Sequence, residues 1–219
     1  DNGHDVTVWS IHEKEVEMLN TTRRHESKLL GIEIPEGILF TTDMKGTMSD
    51  KDVCVLAVPS PFIRSTCQKM KAYVRAGQII VNVAKGIEES TLYTLTDIIE
   101  EEMPYADACV LSGPSHAEEV SRRLPTTCVV SARTRKTAEY LQSVFVSPVF
   151  RVYISPDMLG IELGGALTNV IALAAGTADG LGYGDNTKAA LLTRGIAEIA
   201  RLGIKMGGKP ETFYGLTGI

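Results

Sequence analysis

The apolar positions of this chain follow two regimes. Within residues 52–154, short continuous runs of valine, isoleucine and leucine alternate with stretches whose apolar residues recur every three or four positions. DVCVLAV (52–58), QIIVNVA (78–84), ACVLS (108–112), TTCVVSA (126–132) and FRVYI (150–154) read as buried strands. Helices are expected over 62–73, 90–102 and 134–145, with a short one opened by Gly113-Pro114-Ser115-His116. Such alternation predicts a mostly parallel sheet covered on both faces. Upstream, DVTVW (5–9) alternates as a short strand, 13–30 is polar and helix-compatible, Pro35-Glu36-Gly37 forms a turn, and a brief strand follows at 38–41. After Pro156 the strands stop and small residues fill helices, which places a domain boundary near Ser155. Asp1-Asn2-Gly3-His4 reads as a helix end with Gly3 at the left-handed C′ position. Gly215-Leu216-Thr217-Gly218-Ile219 reads as a glycine turn leading nowhere, so both ends are expected to lie inside larger domains.

The stretch from Glu162 to Gly195 opens with about fifteen residues of helix bearing two unlike faces. At about 100° per residue, Leu163, Leu167, Val170, Ile171 and Ala174 form an ordinary core stripe. The opposite face carries Glu162, Gly165, Thr168, Asn169, Ala172 and Gly176. Each helical glycine costs about 1 kcal/mol relative to alanine. Close approach of another backbone, or of a ligand, would account for them, and spacing alone leaves both readings open.

Composition narrows the class. The 219 residues are 44% hydrophobic and 22% charged, the profile of a globular protein with a real core. A net charge of −5 argues against nucleic acid or an anionic membrane as main partner, while allowing a local basic pocket for phosphate. Cys54, Cys67, Cys109 and Cys128 lack metal or redox spacing and read as reduced core residues, as expected in a cytoplasmic protein. No signal peptide and no apolar run of membrane-spanning length is read.

In an open parallel sheet, ligands bind beyond the carboxyl ends of the strands. The residues there are Ser10, Ile11 and His12; Pro59 and Ser60; Lys85 and Gly86; and Gly113, Ser115 and His116. Lys85 follows an apolar strand directly and can meet a phosphate, a carboxylate or a polarised carbonyl; a solvated loop lysine is the plainer alternative. Gly113-Pro114-Ser115 opens a helix whose free N–H groups favour an anion or electron-rich oxygen. His12 and His116 each read as solvated or as facing a ligand; Lys188, Arg194, Asp179 and Asp185 read as surface pairs or pocket walls. The phosphate-cradling G-x-G-x-x-G is absent, and Gly180, Gly182 and Gly184 are spaced wrongly for it. The acid that grips an NAD ribose after the second strand of a dinucleotide fold is also missing, since Trp9 leads into Ser-Ile-His.

VNVAKGIE (81–88), LSGPSHAEEV (111–120), FRVY (150–153) and IELGGALTNVIALAAGTADGLGYGDNTKAALLTRG (161–195) closely resemble the bacterial NAD(P)-dependent glycerol-3-phosphate dehydrogenase family. The likeness runs from DNGHDVTVW at the start to FYGLTGI at the end. It implies a Rossmann-type dinucleotide-binding domain over 1–155, lacking its first strand, and part of an all-helical substrate domain over 156–219. It implies reversible hydride transfer between sn-glycerol 3-phosphate and dihydroxyacetone phosphate with NAD or NADP, serving phospholipid synthesis in the cytoplasm, in a homodimer. Carried over by position, Lys85 contacts cofactor and substrate; Gly113, Ser115 and Asn169 line the substrate; Ile11, His12 and Ala117 lie along the cofactor. The family's proton-accepting lysine falls at Thr168, whose hydroxyl is far too weak a base near neutral pH. The alternative reading is therefore a non-catalytic member of the same fold. The family's glycine loop and a later active-site aspartate and Arg-Asn pair have no counterpart among these residues.

Overall fold

The computed structural model describes residues 2–216; Asp1 and 217–219, the outer residues of the two expected terminal turns, lie outside it. Two sheets are present among the described residues. The smaller pairs β1 (Thr7–Trp9) with β2 (Leu39–Thr41) in parallel. The larger has the order β3 (Val53–Leu56), β4 (Ile79–Asn82), β5 (Asp107–Ser112), β6 (Thr126–Ala132), β7 (Phe150–Ile154). All its pairings are parallel except β5 with β6, where Cys109 faces Ala132 and Ser112 faces Val129. The expected single sheet is thus divided, and β1 and β3 each pair on one side only.

Helices cover both faces of the larger sheet, which is why its strands read as unbroken apolar runs. On one face Cys54, Leu56, Ile80 and Ala108 pack against α3 (Ile63–Met70) and α4 (Leu95–Glu102). On the other, Val81, Cys109, Leu111, Cys128, Val130 and Val152 pack against Leu141 of α6 (Arg135–Phe145). All four cysteines are buried and free. Near β3 the second face is thinly covered, leaving Val55 48% exposed.

Helix limits differ from the periodic reading where local capping intervenes. The polar stretch 13–30 is helical only as α1 (Glu13–Thr22), because Arg23 turns left-handed at φ 53° and closes it. The following loop is gathered by Glu15, which accepts from Ser10, His25 and Lys28 at 2.8–2.9 Å. The helix expected from 90 begins at Leu95 instead. Thr94 and Asp97 form a capping box there, and Ile87 bridges Thr94, so 88–93 is a turn. A 3-10 turn at Ser60–Phe62 precedes α3, and the short α2 (Met44–Met48) was not expected.

After β7 come α7 (Met158–Gly180), α8 (Asp185–Lys205) and α9 (Pro210–Phe213) around Leu163, Ile199, Ala200 and Phe213. Asp157 ties the starts of α7 and α9 together: it accepts from Gly160 N at 3.0 Å, Lys209 N at 2.8 Å and Thr212 Oγ1 at 2.5 Å. Because β6 reverses direction and β7 follows it, α7 leaves β7 at the level of Leu111 and climbs past the tip of β5. Its Ile161 packs between Val110 and Val129.

Two expectations for α7 need correction. Val170 is 63% exposed, so the core stripe is Leu163, Leu167 and Ile171, with Ala178 buried further on. Glu162 and Gly165, expected on an open face, are buried. The helix, 23 residues long, also contains an 18-residue stretch of mean hydropathy 1.6, long and apolar enough for a membrane span, contrary to the sequence reading. Leucine, isoleucine and valine supply most of that hydropathy, and its first two turns are enclosed by β5, β6 and α9. It is the core helix that joins the two halves of the fold.

Candidate active site at the strand tips

Lys85, Gly86, Gly113 and Ser115 converge just beyond β4 and β5. The Lys85 ammonium donates to the Gly113 carbonyl at 2.9 Å, and Ser115 Oγ donates to the same oxygen at 3.2 Å. Glycine is required at both turns. Gly113 has φ 149°, and a β-carbon there would lie 2.9 Å from the Thr127 carbonyl. Gly86 has φ 154°, and its β-carbon would lie 2.5 Å from Ser60 Oγ at the tip of β3. Three neighbouring strand tips are thereby drawn together.

The small face of α7 closes one side. A β-carbon at Gly165 would sit 2.6 Å from Ser112 Oγ and 3.7 Å from Lys85 Cγ. Gly165 is therefore small because sheet and lysine stem press on it, which decides between the two readings of that glycine in favour of packing. Ser112 Oγ is buried and has no hydrogen-bond partner. One turn on, Thr168 is half-buried and donates back to the Gly165 carbonyl at 3.2 Å. Asn169 and Ala172 are exposed, and Gly176 faces open space. Glycine packing ends, and an accessible face begins, between Gly165 and Asn169.

Beside this cluster, Ser115 and Ala117, the first residue of α5 (Ala117–Ser121), share a cavity of about 310 Å³ with Val83, Leu111, Cys128 and Phe150. Burial pushes the Cys128 thiol up, opposed by the Ser115 hydroxyl and the Lys85 charge. Ile11 and His12 stand apart, at the tip of β1 in the smaller sheet, and both are exposed. His12 caps α1 without a side-chain hydrogen bond. His116 pairs with Glu118 at 2.8 Å in solvent, Lys188 with Asp179 at 2.7 Å, and Arg194 with Glu198 at 3.6 Å. These are surface pairs, as the plainer readings held.

Sequence reasoning missed Asn82 and misplaced Glu162. Asn82, the last residue of β4, accepts from Ala84 N and donates to Ala84 O, each at 3.0 Å, and donates to Glu162 Oε1 at 3.3 Å. Glu162 also accepts from Thr96 N at 3.0 Å and from the Thr96 hydroxyl. Burial pushes its carboxyl up to about 7, against the pull of the Thr96 and Thr94 hydrogen bonds. An amide ending an apolar strand and a lone acid in a glycine-alanine helix were the available signals. No cluster of metal-ligating side chains is found among the described residues.

A parallel α/β sheet with an ammonium and glycine turns at its strand tips, faced by a helix from a following all-helical segment, defines a Rossmann-type two-part protein. Residues 1–138 match the NAD-dependent glycerol-3-phosphate dehydrogenase N-terminus, and 157–219 the C-terminus of the same family. The chain belongs to the NAD-dependent glycerol-3-phosphate dehydrogenase family. It is 63% identical over 218 residues to a glycerol-3-phosphate dehydrogenase [NAD(P)+] of Agathobacter rectalis, covering 100% of this chain and 65% of the relative. It is 59% identical to one from Fusobacterium nucleatum, covering 100% of this chain and 66% of that protein. The crystal structure of glycerol-3-phosphate dehydrogenase from Coxiella burnetii superposes with a TM-score of 0.94 at 32% identity, over 99% of this chain and 66% of that one. The chain thus spans about two-thirds of the length of the curated relatives it matches.

Proposed function

We propose that these residues form the dinucleotide-binding part (1–155) and a portion of the substrate part (156–219) of an NAD(P)-dependent glycerol-3-phosphate dehydrogenase. The reaction is the interconversion of sn-glycerol 3-phosphate and dihydroxyacetone phosphate, in a cytoplasmic homodimer supplying phospholipid synthesis. The observation that carries this reading is the Lys85 ammonium, held at 2.9 Å from the Gly113 carbonyl beside the point where α7 turns from packed to open. An ammonium has three donors, so two remain for a substrate oxygen. Lys85 polarises the carbonyl to be reduced, and Gly113, Ser115 and Asn169 border the substrate; a nicotinamide held beside Ser115 and Ala117 would supply the hydride.

The residues fit the cofactor in part. The cavity beside Ser115 and Ala117 suits a ring, and the β1 tip offers Ile11 and His12 without a carboxylate directly after the strand, a composition open to NAD or NADP. No G-x-G-x-x-G occurs in the 219 residues, so the pyrophosphate has no cradle among them. Thr168 favours the second reading, a non-catalytic member: its hydroxyl is turned back onto its own helix and cannot serve as base near neutral pH.

The deciding experiment extends this chain at both ends with the corresponding segments of the Agathobacter rectalis relative and compares it with its Thr168→Lys and Lys85→Ala variants. NAD(P)H oxidation with dihydroxyacetone phosphate is expected from the Thr168→Lys form. The threonine form should be slower by about 10² or more, the usual loss for a positioned acid–base group, and Lys85→Ala slower still. Equal rates for threonine and lysine at 168 refute the proton-acceptor assignment; full activity in Lys85→Ala refutes the site.

A further inference from the structure

Glu162 is a carboxyl that the reaction outlined above does not use, yet it is 6% exposed and sits where three elements meet. From α7 it reaches the start of α4, accepting from Thr96 N and Oγ1, and the end of β4, accepting from Asn82 Nδ2. Asn82 is committed on its other side. Its amide oxygen takes the Ala84 N–H and its amide nitrogen serves both Ala84 O and Glu162. Ala84 is the residue before Lys85, and the Lys85 stem lies against Gly165, one helical turn after Glu162. Helix and lysine are thus joined twice: directly at Gly165, and through Glu162, Asn82 and the Ala84 main chain.

A buried acid without a basic partner is an expensive way to make helix packing, since an apolar residue of that size would fill the space without desolvating a carboxyl. What the carboxyl adds is direction. Its Oε1 accepts from both Thr96 N and Asn82 Nδ2 while Oε2 takes the Thr96 hydroxyl, so a carboxyl anchored on α4 holds Asn82 in the one amide orientation that clamps both polar groups of Ala84, and so sets the backbone from which Lys85 departs.

We propose that Glu162 is a positioning residue, which fixes the Lys85 loop relative to α7 through the side chain of Asn82. That Lys85 is a substrate-facing residue rests on the proposed function; the relay itself does not. Glutamine at 162 keeps the relay, because its carbonyl can accept from Thr96 N and Asn82 while its amide donates to Thr96 Oγ1. Leucine keeps the volume and loses the relay, and Asn82→Ala removes its middle link while sparing Glu162.

The test uses the 219-residue chain and needs no activity. Amide hydrogen exchange is followed at Ala84, and labelling of the Lys85 amine by acetic anhydride is followed by mass spectrometry. Protection of β6 and α6 serves as the internal reference. In Glu162→Leu and in Asn82→Ala, Ala84 exchange is expected to rise about tenfold or more, with faster Lys85 labelling and an unchanged reference. Glu162→Gln is expected to match the parent in both, and the Glu162→Leu/Asn82→Ala pair to be no worse than either single change. If Glu162→Leu does not fold, Asn82→Ala and Glu162→Gln decide. Parent-like Ala84 and Lys85 rates in Asn82→Ala, an even loss of protection across β6 and α6, or a Glu162→Gln variant as loose as Asn82→Ala each overturn the proposal. None of these outcomes depends on whether Lys85 meets a substrate, so failure of the relay and failure of the proposed reaction are separable.

Discussion

Replacing Glu162 by glutamine should change how stability responds to pH, and the structure sets both sign and size. The carboxyl is pushed up to about 7 in the fold from an ordinary 4.5, because burial disfavours its charged form more than the Thr96 and Thr94 hydrogen bonds favour it. The folded chain therefore holds this proton more tightly than the unfolded chain. Its stabilising contribution is complete below 4.5 and is lost as pH rises through about 7. At about 1.4 kcal/mol per pH unit, the gap corresponds to about 3 kcal/mol in all, most of it falling between pH 5 and pH 8. Glutamine cannot ionise and keeps the same partners, so the variant should lack this slope. Urea unfolding followed by far-ultraviolet circular dichroism, on both proteins at pH 5, 6, 7 and 8, measures the difference directly. The variant should gain about 2–3 kcal/mol on the parent between the extremes. A difference that stays constant with pH would mean that Glu162 is ionised throughout, and the assigned dominance of burial would be wrong.

Gly165→Ala places a methyl group 2.6 Å from Ser112 Oγ and should destabilise by about 1–3 kcal/mol in chemical denaturation. Ser112→Ala removes a buried hydroxyl with no partner, so it should be neutral or stabilising alone and should recover much of the loss in the double variant; additive losses would contradict the contact. Thr94→Ala removes the capping box that starts α4 and should cost about 0.5–2 kcal/mol, read as a lower urea midpoint. Glu15 is held down to about 2 by hydrogen bonds from Lys28, His25 and Ser10. Its contribution is present above 4.5 and lost as pH falls through about 2, so acid unfolding of Glu15→Gln should be less steep there than that of the parent.

The alternation of strands and helices was legible because the inner strands of the larger sheet, β4, β5 and β6, are covered on both faces, which leaves unbroken apolar runs. That same burial erased direction: nothing in TTCVVSA tells that β6 runs against β5. Polar positions that end helices through capping, at Arg23 and Thr94, were invisible to periodicity, which explains the overlong readings of α1 and α4. On α7 the periodic reading assumed that burial varies around the helix. It varies along it instead, with 160–165 enclosed by the sheet and later turns emerging, so Glu162 proved buried and Val170 exposed. Lys85, Gly113 and Ser115 were found from chain position alone, since strand tips are where a parallel sheet gathers side chains. Ile11 and His12 share no element with that cluster, and their place along a cofactor rests on likeness to the family.

The division between β1 and β3 has a practical consequence for anyone handling these residues. Each strand presents a row of peptide groups with nothing to bond to among the described residues, next to Val6, Val8 and Val55 that are 37–48% exposed. Rows of this kind template the addition of extended segments from other molecules. Concentrated samples of these 219 residues taken alone are therefore expected to self-associate through backbone ladders, and a lysine or proline in β1 would blunt that tendency without touching the strand tips around Lys85.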